Sequence, residues 1–340
     1  MTSEAHEVPH PSGGRRLRWS DLPAPVRAAV EERLGGAVVH EDGATTGFSP
    51  GLASVLVTAD GTRAFVKAAQ VHDGSDAARL HRTEARRTAA LPPDLPVPQP
   101  LWVQDDGVWV VVAYEAVDGR SPVTPWDPEE LDAVLDAVAR VGATDASGLD
   151  LPDATDGLAE LFTGWERLRD DPDPGLGAIA PWAVGRLDEL ADLARRGVTA
   201  CAGDALLHGD LRADNLLVTD DGVVVVDWPY ASRGAAFSDV VSFLPSVGMQ
   251  GIRGRTDPLT GPADVEHRHA VGAELDALFR SGPSAEGVAA DDVTAVVAGV
   301  TSYFLDACRR PPVPVIPRLR AFQRAQGAAA AAWLEVRVSR

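Results

Sequence analysis

Apolar and polar positions follow two different patterns along the chain. Up to about residue 114, short alternating or continuous apolar runs predict strands at 37–40, 54–58, 64–67, 97–103 and 108–113. Apolar positions three and four residues apart predict a first helix after Ser20 and one long helix over 76–91, which Pro92 ends. These elements predict a β-rich unit that carries one long helix.

From residue 129 onward the apolar spacing is helical almost throughout. It predicts helices at about 155–170, 181–200, 238–249, 264–281, 287–310 and 317–337, besides one at the start of this part. The one strand pattern here is a hairpin around 216–227, with its turn at Asp220-Asp221-Gly222. We therefore expect an α+β protein with two lobes. Its parts are a disordered tail over 1–17, a β-rich lobe over 18–114, a Pro- and Gly-rich linker over 115–128 and a helical lobe over 129–340.

Composition narrows the possible partners. The chain carries 31 basic and 50 acidic residues, a net charge of −19, which argues against nucleic acid or an anionic membrane as the main partner. The two cysteines, Cys201 and Cys308, lie far apart and suggest no disulfide framework. Neither a signal peptide nor a membrane-length apolar run is found, so we expect a cytoplasmic protein.

Chemistry-bearing residues concentrate between Ala205 and Trp228. Asp210 lies on a loop after a short apolar run, Asn215 follows five residues later, and Asp227 comes directly after four valines. Phosphoryl transfer from a metal nucleotide needs such a set, because it uses an acceptor for a hydroxyl proton and oxygen ligands for magnesium.

The motif His208–Asn215 resembles the catalytic loop of the aminoglycoside phosphotransferase family, which is related to the protein kinases. Lys67 stands where those kinases carry a lysine on a strand, Glu84 falls in the helix that follows, and Asp227 stands where they have the DFG aspartate. The resemblance extends from about residue 19 to residue 333. It implies a protein-kinase-like two-lobe fold, with a small antiparallel sheet in the N-lobe and a catalytic hairpin in a mostly helical C-lobe.

The resemblance also implies roles for these residues. Asp210 would be the catalytic base, Asn215 and Asp227 would bind Mg²⁺, and Lys67, held by Glu84, would bind the ATP phosphates. Each of these residues, considered alone, could instead have a purely structural role. Asp210 could cap a turn, Asn215 could be a turn residue and Asp227 could simply end a strand. Lys67 could lie on an exposed edge strand, and Glu84 could pair with arginines on the helix surface.

Four further positions complete the predicted nucleotide site and its support. A glycine loop containing Gly47 and Ser49 would approach the β-phosphate, although it does not follow G-x-G-x-x-G and could be a plain hairpin turn. Tyr114 begins the hinge that would contact the nucleotide base. His208 and Asp239 would support the catalytic loop, although Asp239 could also be an ordinary charge at a helix start.

The kind of acceptor is less defined. Arg212 would position phosphate or substrate, or else lie on the surface. Only eleven residues separate Asp227 from Asp239, too few for a regulated protein-kinase activation loop, so a hydroxyl-bearing small molecule is the expected acceptor. The segment 127–192 holds 17 acidic and 4 basic residues, and is either a pocket for a cationic acceptor or a solvated face. A nucleotide-binding pseudokinase and a protein kinase remain alternatives, as does the use of GTP.

Overall fold

The chain forms a small β-rich lobe followed by a larger helical lobe. The structure is a computed structural model that describes residues 8–9, 16–43, 50–72, 76–314 and 316–339. Within these residues it contains nine strands and eleven α-helices.

The first lobe is built on one antiparallel sheet with the strand order β1-β2-β3-β5-β4. Its strands are β1 (Val38–Gly43), β2 (Leu52–Thr58), β3 (Arg63–Gln70), β4 (Pro100–Asp105) and β5 (Trp109–Glu115). All five predicted strands are present, although the fourth begins at Pro100 and not at residue 97. The loop between β1 and β2 that contains Gly47 and Ser49 lies outside the described residues.

Two helices cover the two faces of this sheet. Helix α1 (Ala24–Leu34) packs Val30 against the face that carries Val66, and helix α2 (Ala77–Ala89) packs on the other face. Because side chains alternate along a strand, Lys67 of β3 points to the face opposite Val66, towards α2. The sheet therefore directs Lys67 at the buried side of α2, where Glu84 lies.

The second lobe is mostly helical. Its helices are α3 (Pro128–Gly142), α4 (Ala154–Leu161), α5 (Gly164–Asp170), α6 (Pro174–Ile179), α7 (Leu187–Ala200), α8 (Phe237–Gln250), α9 (Val265–Ser281), α10 (Ala290–Ala307) and α11 (Leu319–Val338). The single helix predicted at 155–170 is wrong: α4 and α5 are separate, because the chain turns at Phe162 to bury its ring against Gly299 of α10.

Close backbone contacts hold the helical core together. A Cβ on Gly197 of α7 would lie 2.4 Å from the carbonyl oxygen of Ala295 in α10, so glycine is needed there. Gly272 of α9 meets α11 in the same way, at Ala332. The alanine run of α11 is thus part of the hydrophobic core. None of the described helices is long and apolar enough to cross a membrane.

Two small two-stranded sheets frame the catalytic loop. The predicted hairpin consists of β7 (Leu216–Thr219) and β8 (Gly222–Val225). A second pair, β6 (Ala205–Leu207) with β9 (Ser232–Gly234), was not predicted, because three-residue strands are too short to show a pattern. Residues 208–215 leave β6 and enter β7, so both ends of the loop are fixed by strands.

Candidate active site

Asp239, in the first turn of α8, holds the loop of residues 208–215 through its backbone. Its two carboxylate oxygens accept hydrogen bonds from the backbone N–H of His208 at 2.6 Å and of Gly209 at 3.0 Å. Gly209 has φ of +79°, and a Cβ there would lie 2.7 Å from the carbonyl oxygen of Tyr230. The loop conformation therefore requires both the glycine and the carboxylate beneath it.

His208 lies behind the loop as a neutral ring. Its Nε2 is 3.0 Å from the carbonyl oxygen of Val226, and its Nδ1 accepts from the backbone N–H of Asp210 at 3.2 Å. Because a carbonyl can only accept, the proton is on Nε2, and burial lowers the pKa of the ring. His208 thus ties the loop to the end of the hairpin.

Asp210 lies at the front of the loop, with 30% of its side chain exposed. Arg212 Nη1 donates to both of its carboxylate oxygens, at 2.6 and 2.5 Å. Arg212 also donates to Asp214, from Nε at 3.0 Å and from Nη2 at 3.1 Å. Its side chain is 13% exposed, so Arg212 clamps the two carboxylates and is not a surface residue. Burial, opposed by Arg212 and reinforced by Asp214, raises the pKa of Asp210 to about 6.

Asn215 and Asp227 are brought together by the hairpin. Asn215 Nδ2 donates to the backbone oxygen of Asp210 at 2.8 Å, which leaves its one side-chain oxygen for a ligand. The backbone N–H of Val226 donates to the Asn215 carbonyl at 2.9 Å, placing Asp227 beside it. Asp227 has φ of +69°, the one positive φ of a non-glycine residue in the described part of the chain. Such strained conformations cluster at functional sites.

Lys67 joins the two lobes across the cleft. Its Nζ lies 2.8 Å from both carboxylate oxygens of Glu84 and 2.8 Å from Asp227 Oδ1. Burial alone would lower the pKa of Lys67. The negative charges of Asp227 and Glu84 outweigh the effect of burial, so that the pKa of Lys67 is raised. Burial likewise opposes ionisation of Asp227, yet Lys67 and Arg212 lower its pKa. β3 is the central strand of the sheet, so the edge position considered for Lys67 does not occur.

Glu84 pairs with Lys67 and not with the arginines of its own helix. Arg82 binds Asp105 of β4, and Arg87 donates to the backbone oxygen of Pro229 in the helical lobe. The Glu84 side chain is 4% exposed, and burial raises its pKa against the effect of Lys67. The predicted Lys–Glu pair is thus present in the structure.

A family comparison agrees with this geometry. The sequence model of the phosphotransferase enzyme family (APH) matches residues 45–276, which span the lysine strand, the catalytic loop and the hairpin. The chain belongs to the phosphotransferase enzyme family. It is accordingly a kinase-type enzyme with the protein-kinase-like fold, as the resemblance predicted.

Solved structures of small-molecule kinases are distantly similar. A choline kinase from Cryptosporidium parvum Iowa II has 12% identity and a TM-score of 0.48, over 85% of this chain and 86% of its own. A protein described as a fructosamine-3-kinase, from Haemophilus somnus 129PT, has 13% identity and a TM-score of 0.49, over 89% and 96%. A choline/ethanolamine kinase family protein from Mesorhizobium loti has 14% identity and a TM-score of 0.43, over 82% and 89%. The curated proteins yield no match to the chain.

The kinase site also contains residues that sequence reasoning missed. Burial and then Asp210 raise the pKa values of Tyr230 and Tyr303, which indicates that both phenols lie near Asp210. Tyr114, at the predicted hinge, is buried, with its ring centre 6.0 Å from Lys67 Nζ. The chain has three tyrosines and one lysine, and all four therefore lie at the site. Lys67 and Tyr114 were predicted, and the rarity of tyrosine was a signal that could have identified Tyr230 and Tyr303 as well.

Arg16 is a second residue that was missed. It lies in the segment predicted to be a tail, yet it forms a β-bridge with Gly51, supported by a 3.1 Å hydrogen bond from the N–H of Leu17. Burial lowers the pKa of its guanidinium, while Asp227 and Asp214 act in the opposite direction. A cation from the start of the chain thus lies close to the carboxylates of the site.

The acidic segment 127–192 lies mainly on the surface. All of its residues are described, and nine of its seventeen carboxylates form ion pairs with arginines. The charges with the largest effects on the pKa of Asp210 are Arg212, Asp214 and Asp227, which lie outside this segment. The arrangement favours the solvated face over the cationic pocket.

Proposed function

We propose that the protein is an ATP- and Mg²⁺-dependent kinase that transfers the γ-phosphate to a hydroxyl group of a small molecule. One observation carries the proposal: Lys67 links Glu84 to Asp227 at 2.8 Å contacts, in the cleft that also holds Asp210 and Asn215. A lysine, a metal-binding pair and a base are the parts that phosphoryl transfer requires.

The residues fit a magnesium ion that arrives with the nucleotide. Among the described residues, no group of three or more His, Cys, Asp or Glu side chains could hold a metal on its own. Asn215 offers an amide oxygen and Asp227 an ionised carboxylate, and Mg²⁺ typically uses few protein ligands together with substrate phosphates. When bound, Mg²⁺ supplies charge neutralisation across the β- and γ-phosphates.

In the proposed reaction Lys67 exchanges its contact with Asp227 for one with the nucleotide phosphates. Glu84 keeps the ammonium in place during this exchange, because it accepts from Lys67 with both oxygens. Asp227 is then available as a ligand, and its lowered pKa keeps it ionised at neutral pH. The chain therefore has the charges of the donor site in place before the nucleotide binds.

Asp210 is proposed to take the proton of the acceptor hydroxyl. The hydroxyl oxygen forms a bond to the γ-phosphorus, the bond from that phosphorus to the β,γ-bridging oxygen breaks, and ADP leaves. Asp210 is partly exposed and held by Arg212, so its carboxylate can reach a substrate while keeping its position. A pKa of about 6 leaves it mostly ionised at pH 7 and basic enough to accept a proton.

A small acceptor fits better than a protein. Between Asp227 and Asp239 the chain is occupied by Trp228, buried under the loop, then β9 and the start of α8. A regulated activation loop would have to be inserted there. The proposal is thus limited to small hydroxyl compounds such as sugars, amino alcohols and antibiotics.

The first experiment tests nucleotide binding at a single side chain. Because Lys67 is the chain's only lysine, an amine-reactive acyl-phosphate analogue of ATP should modify this side chain, and excess ATP with Mg²⁺ should protect it. Intact mass and peptide mapping separate this product from modification of the N-terminal amine. Labelling that ATP does not reduce would contradict the proposed nucleotide site.

The second experiment tests phosphotransfer. ATP consumption is measured with a panel of sugars, amino alcohols and hydroxyl-bearing antibiotics for the wild type, Asp210→Asn and Asp227→Asn. We expect at least one compound to raise the wild-type rate, and both variants to lose about 100-fold or more. Protected labelling of Lys67 together with equal background rates in all three proteins would instead support the pseudokinase alternative.

A further inference from the structure

The backbone around Arg16 is fixed to the β-rich lobe. Arg16 forms a parallel β-bridge with Gly51, which directly precedes β2, and the N–H of Leu17 donates to the Gly51 carbonyl at 3.1 Å. Leu17 and Trp19 pack against the apolar cluster that α1 covers. The N–H of Trp19 also donates to both carboxylate oxygens of Glu41 at 3.0 Å. These contacts hold Arg16 at one defined place beside the sheet.

The same contacts decide which face of the sheet Arg16 occupies. Side chains alternate along an extended backbone, and Leu17 packs on the α1 face, so Arg16 points to the opposite face. Its bridge partner agrees: Leu52 packs on the α1 face, so the position of Gly51 belongs to the opposite face, and paired residues share a face. That opposite face is the one that carries Lys67. Arg16 and Lys67 therefore enter the cleft from the same face of the sheet.

The strand register sets the distance between these two cations. Lys67 of β3 pairs with Ala53 of β2, two residues after Gly51, and Arg16 lies on the other side of β2. Ordinary strand spacing and rise then place the Cα atoms of Arg16 and Lys67 about 12 Å apart. Two long side chains that start at this separation on one face can reach the same triphosphate from its two sides.

The guanidinium group of Arg16 extends towards the carboxylates of the cleft. Its Nε is buried, and burial lowers the pKa of the group, while Asp227 and then Asp214 act to raise it. Asp227 is the proposed magnesium ligand. Asp214 is joined through Arg212 to Asp210, the proposed base. Arg16 thus lies between the donor side and the acceptor side of the cleft, where the phosphoryl group is transferred.

The chemistry of the donor site calls for a second cation. Phosphoryl transfer depends on positive charge around the transferred group. Lys67 is the only lysine of the chain, so any further cationic side chain of permanent charge must be an arginine. Arg212 is already used to hold Asp210 and Asp214 in the catalytic loop. A planar guanidinium is suited to the task, because it binds phosphate through paired hydrogen bonds.

We propose that Arg16 binds the γ-phosphate of ATP, on the side of the triphosphate opposite Lys67. This inference rests on the proposed kinase function and adds a residue to its donor site. When the nucleotide enters with Mg²⁺, the guanidinium group turns from the carboxylates to the γ-phosphate, while the bridge to Gly51 keeps its backbone in place. The residues that precede α1 are therefore part of the active site.

Nucleotide affinity tests this contact without requiring turnover. The Mg²⁺ complexes of β,γ-imido-ATP, a non-hydrolysable analogue that has a γ-phosphate, and of ADP, which lacks one, are titrated by calorimetry into the intact chain. The proteins are the wild type, Arg16→Gln, Arg16→Lys and the matched control Arg18→Gln. Arg18 has the same charge, lies two residues away and is exposed.

The expected result is a loss specific to the γ-phosphate. Arg16→Gln should bind β,γ-imido-ATP about tenfold or more weakly, the cost of a lost charge-assisted hydrogen bond, and ADP by less than about threefold. Arg16→Lys keeps the charge and should recover part of the affinity. Arg18→Gln should bind both nucleotides like the wild type. Retained ADP binding by Arg16→Gln also shows that this variant is folded.

Three results would overturn the inference and leave the proposed kinase function standing. The first is equal affinity of Arg16→Gln and Arg18→Gln for β,γ-imido-ATP. The second is an equal loss for this analogue and ADP, which would exclude a contact specific to the γ-phosphate. The third is tighter binding of the analogue by Arg16→Gln, since Arg16 would then compete with magnesium for Asp227.

Two other results separate the inference from the kinase function. Absence of nucleotide binding by the wild type would count against both. A loss specific to the γ-phosphate in Arg16→Gln, combined with wild-type phosphotransfer rates equal to those of Asp210→Asn, would support the Arg16 contact and count against the kinase function.

Discussion

Replacing Lys67 by Met tests whether the ion pairs across the cleft form one energetic unit. The substitution removes the ammonium that lies 2.8 Å from Glu84 and Asp227, and keeps a side chain of similar length. Glu84 is 4% exposed and loses its cation, whereas Asp227 is 34% exposed and can be hydrated. The cost should therefore arise mainly from Glu84.

The structure sets the size and the pH dependence of that cost. Removing one partner of a buried pair costs about 3–5 kcal/mol if the other stays charged. Glu84 can escape by taking a proton, because burial already raises its pKa and loss of Lys67 raises it further. A carboxyl whose folded pKa is raised loses stability as pH rises above its unfolded pKa. We thus expect Lys67→Met to lose up to about 1.4 kcal/mol per pH unit relative to Lys67→Met/Glu84→Gln, which lacks the titrating group.

Urea denaturation of the wild type, both single variants and the double variant at pH 6 and pH 8 provides the measurement. At pH 8 the double variant should recover about 2 kcal/mol of the stability lost by Lys67→Met, a coupling typical of contacting residues. Phosphotransfer should stay low in both, because neither can contact the nucleotide phosphates. Additive effects of Lys67→Met and Glu84→Gln at pH 8, within about 0.5 kcal/mol, would refute the reasoning.

Three further predictions follow from single contacts. The kcat/KM for the acceptor should fall tenfold per pH unit below about pH 6 as Asp210 of the free enzyme takes up a proton, and a rate that stays level down to pH 5 would exclude it as the base. Asp239→Asn should cost about 2–3 kcal/mol in denaturation and lower kcat, because an amide can accept only one of the two loop N–H bonds. Gly197→Ala should destabilise by about 1–3 kcal/mol through its clash with Ala295, whereas Gly157→Ala, on an open face of α4, should stabilise by about 0.4–1 kcal/mol; equal melting temperatures would contradict the helix contact.

The catalytic loop and the hairpin could be predicted because their residues are close in sequence. Asp210, Asn215 and Asp227 fall within eighteen residues, and the turn at residues 220–222 fixes how the last two meet. Local spacing is then nearly sufficient to specify the site. The pairing of Lys67 with Glu84 was implied by the resemblance to the family, and it forms because strand β3 and the helix that follows bring the two side chains together.

The acceptor side could not be predicted in this way. Besides burial, Asp210 contributes to the raised pKa of Tyr303, which is about ninety residues away in the sequence, and no local pattern encodes that proximity. The same holds for Arg16, whose polar, proline- and glycine-containing surroundings are typical of a loose tail, although its backbone pairs with Gly51. Long-range packing, not residue type, decides these positions.

The different roles proposed for Asp210 and Asp227 follow from their different surroundings. Asp227 lies against Lys67 in a strained conformation, and the ammonium lowers its pKa in spite of burial. Burial raises the pKa of Asp210 to about 6, and Arg212, which acts against this rise, is shared between Asp210 and Asp214. Environments that separate two pKa values assign the acid–base roles. The carboxylate that stays ionised suits a metal, and the one that titrates near neutrality suits a proton. The sequence alone does not distinguish the two roles, because both residues are aspartates. The distinction comes from their neighbours, Lys67 of the other lobe beside Asp227 and the shared Arg212 beside Asp210.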